Sequence, residues 1–263
     1  MVIFRYEWRR NRTYILVWAA ALAAAIFCMT PVYCGMVGSV DALPAAIVES
    51  GFLKVVGVSL ALLAQPLGMY AFLTGFLMNA GGVFGMHLGL CLYTKECTEH
   101  TAEYLFTKPL GRAAIFRGKA LCMLCGVAVV GAFYLPASLL TMGLFYPGFA
   151  VRELLLIALS FPLHALFFGA LGLLAGVCRP RSRSPLLTAG LTVFSEYIIT
   201  AFARTVGSRP LSFLSPFSFF NPSEIHARGF YEADYLLWYL LVMAVFFALA
   251  RRVLLRRDIA LAA

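Results

Sequence analysis

The sequence predicts an all-α integral membrane protein: six transmembrane helices, an N-terminal interfacial amphipathic helix ahead of the first, and both termini cytoplasmic. Three observations carry that expectation. Of the 263 residues, 62% are hydrophobic and 13% charged, whereas a soluble globule carries about a quarter charged residues; the mean hydropathy is +0.88. The apolar residues gather into runs of roughly 18 or more, the length needed to cross a hydrocarbon core of about 30 Å at 1.5 Å per residue. The charges between those runs are sided. All but Lys54, Arg152, Arg204, Arg209 and Arg228 of the 21 Lys and Arg fall where six crossings return the chain to one face, and such an excess marks the cytoplasmic face.

Residues 1–12 set Phe4, Tyr6 and Trp8 among Arg5, Arg9, Arg10 and Arg12, the aromatic and basic composition of a helix at a membrane surface. It feeds into a first span over 13–33. That run is too long for a cleavable signal peptide, and no small-residue cleavage site follows it. Residues 34–54, with Asp41, Pro44, Glu49 and Lys54, form a polar excursion on the opposite side. The run 55–93 has length for one span or two. Basic segments on both sides of it require an even number of crossings, so a single second span covers 65–93 behind a segment lying against the membrane. In that span Gly81, Gly85 and Gly89 recur every four residues, and Gly68, Gly75, Gly82 and Gly89 every seven, stripes that let another helix backbone approach.

After a polar island at 94–119, the third span covers 120–145 with Pro136 as a kink site. The turn Tyr146-Pro147-Gly148-Phe149 leads to a fourth span at 154–177, which contains Pro162 and His164. Arg179, Arg181 and Arg183 make a second basic loop before the fifth span, 186–203. Residues 204–232, rich in Ser, Pro and Phe, read as structure at the outer membrane surface. The sixth span, 233–250, ends in Arg251, Arg252, Arg256 and Arg257.

The island holds Lys95, Lys108, Arg112, Arg117 and Lys119 with Glu96, Glu99 and Glu103, too many charges for a bilayer, so it lies in water. Residues 96–106 lack Gly and Pro and can form about three helical turns. Pro109 and Gly111 break the helix, and a second one begins at Ala113.

Several chemistries are excluded by what the chain lacks. A net charge of +9 in a chain of membrane spans marks cytoplasmic loops rather than a nucleic-acid partner, for which no soluble domain remains. Gly111 to Gly118-Lys119 puts six residues where a phosphate loop has four, and Ala120 replaces the hydroxyl that ligates magnesium; this chain is not expected to bind ATP or another cofactor. Serine and metal intramembrane-protease motifs are missing, so no catalytic residue is assigned. Cys122-x-x-Cys125 has no second pair or His nearby and reads as small buried thiols, not a metal site. Within the spans, Glu196 is the costly group. It either contacts a cationic substrate or coupling ion, or makes an interhelical hydrogen bond, with His164 as a possible partner. Asn79 and His87 read as packing hydrogen bonds, and His100 and His226 as loop residues without a partner pattern.

The island resembles the cytoplasmic loop of ABC-2-type transporter permeases through Glu96, Thr101, Glu103, Leu105, Pro109, Arg112, Ile115 and Lys119. His100 stands where that family commonly has Gly, and Gly111 where it has Ser. The basic first segment, Ser215-Pro216-Phe217 and the tail Arg256-Arg257-Asp258 extend the resemblance over most of the chain. It implies the membrane subunit of an ATP-driven transporter in the cell membrane, paired with a second permease copy or homologue and with separate ABC ATPase subunits that hold ATP and Mg. The loop would dock in a cleft of the ATPase. Pro109 would pin a lever helix, Tyr104, Leu105 and Phe106 would form an apolar plug, and Glu96, Glu103, Arg112 and Lys119 would form rim ion pairs. The importer signature Glu-Ala-Ala with a following Gly is not found, which points to export. A non-transporting membrane scaffold or receptor is the alternative.

Overall fold

Long apolar runs without internal charges can satisfy their backbone only by closing i to i−4 hydrogen bonds, so each becomes a helix. A computed structural model describes residues 2–36, 59–98, 111–181 and 184–256, and ten helices lie among them with no strand. Six are long and apolar enough to cross a membrane: α1 (Val2–Gly35), α3 (Pro66–Thr98), α4 (Arg112–Phe145), α5 (Val151–Cys178), α6 (Pro185–Val206) and α10 (Ala233–Arg256). Four short ones lie between: α2 (Leu60–Leu63), α7 (Arg209–Ser212), α8 (Pro216–Phe219) and α9 (Pro222–Arg228).

The expected interfacial segment 1–12 is not a separate element. It is the first three turns of α1, whose 34 residues extend for about 50 Å, well beyond a ~30 Å core. Its buried positions Ile3, Glu7, Ile15, Ala19, Leu22 and Ile26 repeat at helical spacing, so one stripe serves the amphipathic turns and the span alike. α3 likewise runs on to Thr98, past the expected end of the span at residue 93, and α4 starts at Arg112, one residue ahead of the helix expected from Ala113 into the span at 120–145. The two arms of the island are therefore helical extensions of their spans. Residues 99–110 lie outside the described residues, and with them Thr101, Glu103, Tyr104, Leu105, Phe106 and Pro109.

Chain direction alternates. Tyr146 at the end of α4 donates to the Pro31 carbonyl near the end of α1 (3.0 Å), so these two run parallel. Cys34 reaches the Pro66 carbonyl at the start of α3, so α3 runs against both. The start of α1, both arms of the island and the end of α10 share one end of the bundle.

The core is centred on α3 against α5, where the four-residue glycine stripe works. A Cβ on Gly85 would run into the Ala165 carbonyl, and one on Gly89 into that of Gly169; Gly172 answers from α5 against Met86. The seven-residue stripe has no such unity, because Gly75 faces open space. α1 packs along α4 by the same device: Cβ atoms at Gly118 and Gly126 would crowd Ile3 and Ile15.

Segment 204–232, expected as structure at the outer membrane surface, sends part of itself into the core. Phe217, Phe219 and Phe220 are buried, and their rings pack on His164, Phe167 and Tyr239. Burial of three aromatic rings outweighs solvation of the short connecting turns, and α8 and α9 form a plug in the bundle end opposite the start of α1 and the end of α10.

Candidate functional site

At the end where the island begins, four charged side chains from three helices meet out of water. Glu7 comes from the buried stripe of α1, Lys95 and Glu96 from the last turn of α3, and Lys119 from the second turn of α4. Lys119 is fully buried and Glu7 is 1% exposed. The Lys119 Nζ donates to Glu7 Oε1 (3.0 Å), to Glu96 Oε1 (2.5 Å) and to the Leu92 carbonyl. All three ammonium protons are thereby used, and the Tyr93 ring lies 4.9 Å from the same nitrogen. Glu7 Oε2 accepts from Lys95 and from Asn11 Nδ2 at 3.4 Å. The group is two acids and two lysines, formally neutral, with the donors and acceptors matched. That matching is the condition under which buried charges are tolerated.

The island residues Glu96 and Lys119, expected among the rim ion pairs of the docking loop, are bonded to each other inside the protein. Arg112 turns the other way and donates to the Leu255 carbonyl near the end of α10 (3.2 Å), so four of the six long helices converge here. The sequence reading missed Glu7 and Lys95. A signal was present for Glu7: it is the acid among the arginines of 1–12, and it falls four residues from Ile3 and eight from Ile15, on the apolar face. An acid at such a position needs a buried partner.

The intramembrane candidates are not joined. His164 is buried, its ring packed at 4.3 Å and 5.0 Å centroid distance from Phe217 and Phe168, with the backbone of Pro216 as its polar neighbour and no bond to Glu196. Glu196 Oε2 is also buried without a partner, while the Glu196 carbonyl accepts from Thr200 Oγ1 (3.1 Å) and Ser215 Oγ (2.9 Å). Ser215 thereby anchors the plug to α6. His87 makes a packing bond of the expected kind, its Nδ1 lying 2.9 Å from the Tyr14 hydroxyl of α1, whereas Asn79 donates only to Phe76 within its own helix at 3.3 Å. His226, read as lacking a partner pattern, has one hydrogen-bond partner, its Nε2 lying 3.3 Å from Gln65 Oε1, and its Nδ1 faces Glu153 Oε2 at 3.5 Å. These two come from the turn before α3 and from α5, which no local pattern around residue 226 could reveal.

Comparison with known proteins gives one assignment. A family model described as ABC-2 family transporter protein matches residues 1–259. No curated protein matches the chain.

Proposed function

Because the chain belongs to the ABC-2 transporter family, whose members are membrane subunits of ABC transporters, we propose that it forms the translocation pathway of an exporter and is driven by a separate ATPase through the 94–119 loop. The protein is a multi-pass membrane permease; the motor, the direction and the assembly are our reading. In it, two permease copies bind two ATPase subunits, which carry ATP and Mg. The island and both termini face the cytoplasm of the cell membrane.

The observation that carries this reading is the buried group of Glu7, Lys95, Glu96 and Lys119. A loop that only set topology would need no more than exposed charge. Here each arm of the loop is bonded to the other and to α1, so a push on residues 99–110 would move α1, α3 and α4 as one body. Transmission of this kind needs a rigid element biased by the partner, not a solvated tether. Glu103, Tyr104, Leu105 and Phe106 would supply the docking face, Thr101 and Pro109 its shape, and Arg112 the link to α10.

Purification of the transporter with its ATPase tests the reading. Glu103→Arg should lower recovery of the ATPase while leaving membrane insertion intact. Unchanged recovery, or labelling of a cysteine placed at 101 only from outside intact cells, would overturn it.

A further inference from the structure

At the plug end, three pieces of the chain meet on one imidazole. His226 lies in the last turn of α9, its side chain 12% exposed. On one side Nε2 stands 3.3 Å from Gln65 Oε1, in the turn that leads into α3. On the other, Nδ1 stands 3.5 Å from Glu153 Oε2, in the first turn of α5, and is buried with no hydrogen bond of its own. The helices approached in this way, α3 and α5, are the pair at the centre of the core.

Both neighbouring oxygens are acceptors. A neutral imidazole carries one N–H and one lone pair, so either tautomer leaves a ring nitrogen facing an oxygen that cannot donate to it. The imidazolium carries two N–H groups and suits both oxygens at once, with the Glu153 carboxylate as its counter-charge. Histidine is also the side chain that changes between these forms within about pH 5–8. The other charges around the ring do not replace this pairing. Glu224 and Arg228 stand two positions away on either side in α9 and do not share its face; they pair with each other, and Arg228 also with Glu232. On α5 the adjacent Arg152 is exposed. α3 carries no Asp, Glu, Lys or Arg between Pro66 and Lys95, and its first titratable side chain is the buried Tyr70.

We propose that His226 is a proton-operated latch: charged, it clamps α9 of the plug to α5 and to the mouth of α3, and neutral, it lets α9 open. The attraction exists only while the ring is charged, so the clamp is tight at acid pH and is lost as pH rises. The latch is independent of which side of the membrane this end faces and of the direction of transport. At high pH the burial of Pro222 and Ile225 and the bond from Tyr231 to the Leu156 carbonyl (2.6 Å) remain, so α9 loosens without the bundle unfolding.

Hydrogen–deuterium exchange of the full-length protein in detergent tests this, read by mass spectrometry at about pH 5.5 and about pH 8 with labelling times scaled to the intrinsic rate at each. Amides of 223–228 should exchange roughly fivefold faster at the higher pH, the scale of a part-exposed ion pair. In His226→Gln they should exchange at the fast rate at both. Glu153→Gln, which keeps the ring and removes its counter-charge, should shrink the difference. Equal rates at the two pH values in wild type would overturn the latch, and would mean that the Gln65 amide is turned to donate to a neutral ring. A difference that survives in His226→Gln would belong to another titrating group, and one that survives undiminished in Glu153→Gln would remove the ion pair; either would overturn the proposal.

Discussion

The two ends of the bundle use the same kinds of charge in opposite ways. Where the island begins, Glu7, Lys95, Glu96 and Lys119 are between 0% and 12% exposed and knit three helices together. At the plug end, Arg209 and Asp234 pair at 2.8 Å while remaining 65% and 61% exposed, and Arg228 and Glu224 are 44% and 47% exposed. A buried group must be complete to be tolerated, since any missing partner leaves a charge in a medium that cannot solvate it. An exposed pair can open at small cost, because water and salt replace the partner. The island end is thus held by a group that must stay complete, whereas the exposed pairs at the plug end add little to what buried Phe217, Phe219 and Phe220 already fix.

The hardest test of that contrast is to remove one member of the buried group. Lys119→Met leaves Glu7 and Glu96 with only Lys95 between them, and an unpaired buried charge costs about 3–5 kcal/mol. The expected outcome is a sharply lower thermal aggregation midpoint in detergent and a lower yield. Glu7→Gln alone should behave similarly. Glu7→Gln with Lys95→Met, which keeps the group neutral, should be milder than the sum of the two single changes. Additivity in that cycle would mean the four residues do not act as one unit.

The glycine stripe sharpens the contrast on a smaller scale. Gly85→Leu would force α3 off α5 at the Ala165 carbonyl, and overpacking of this type costs roughly 1–3 kcal/mol. Gly75→Leu, on the same helix but over open space, should leave the midpoint where it is. Equal effects at both positions would show that the stripe is compositional rather than a contact.

These differences also mark what could be read in advance. Six spans were legible because the length of an apolar run and the side of a basic loop are local properties. The Gly81–Gly85–Gly89 spacing was legible for the same reason, since a four-residue period names one face of one helix. Which helix that face meets was not. Glu7 and Lys119 are separated by 112 positions, and Glu196 with His164, a pair plausible by depth, make no hydrogen bond. The helical arm from Ala113 into the third span was legible from the break at Pro109 and Gly111, whereas the run of α3 on to Thr98 was not, because charges that neutralise one another continue a helix past its apolar run. The burial of Phe217, Phe219 and Phe220 was not legible, because turns rich in Ser and Pro resemble surface loops whether or not their Phe residues find a core.

The smallest expected effect falls on the exposed pair. Arg209→Ala removes the 2.8 Å contact to Asp234 and the 4.0 Å approach to Glu232, but both charges left behind can be hydrated. The Glu232 carboxylate also keeps Arg228. Pairs this exposed contribute about 0–1 kcal/mol, and salt near 1 M shortens the screening length to about 3 Å. The midpoint of Arg209→Ala should therefore lie close to that of the parent in low salt and coincide with it in high salt, whereas the loss in Lys119→Met should persist in both. If high salt instead rescued Lys119→Met, the buried group would have to be open to water, and the distinction between the two ends would fail at the point where the coupling reading depends on it.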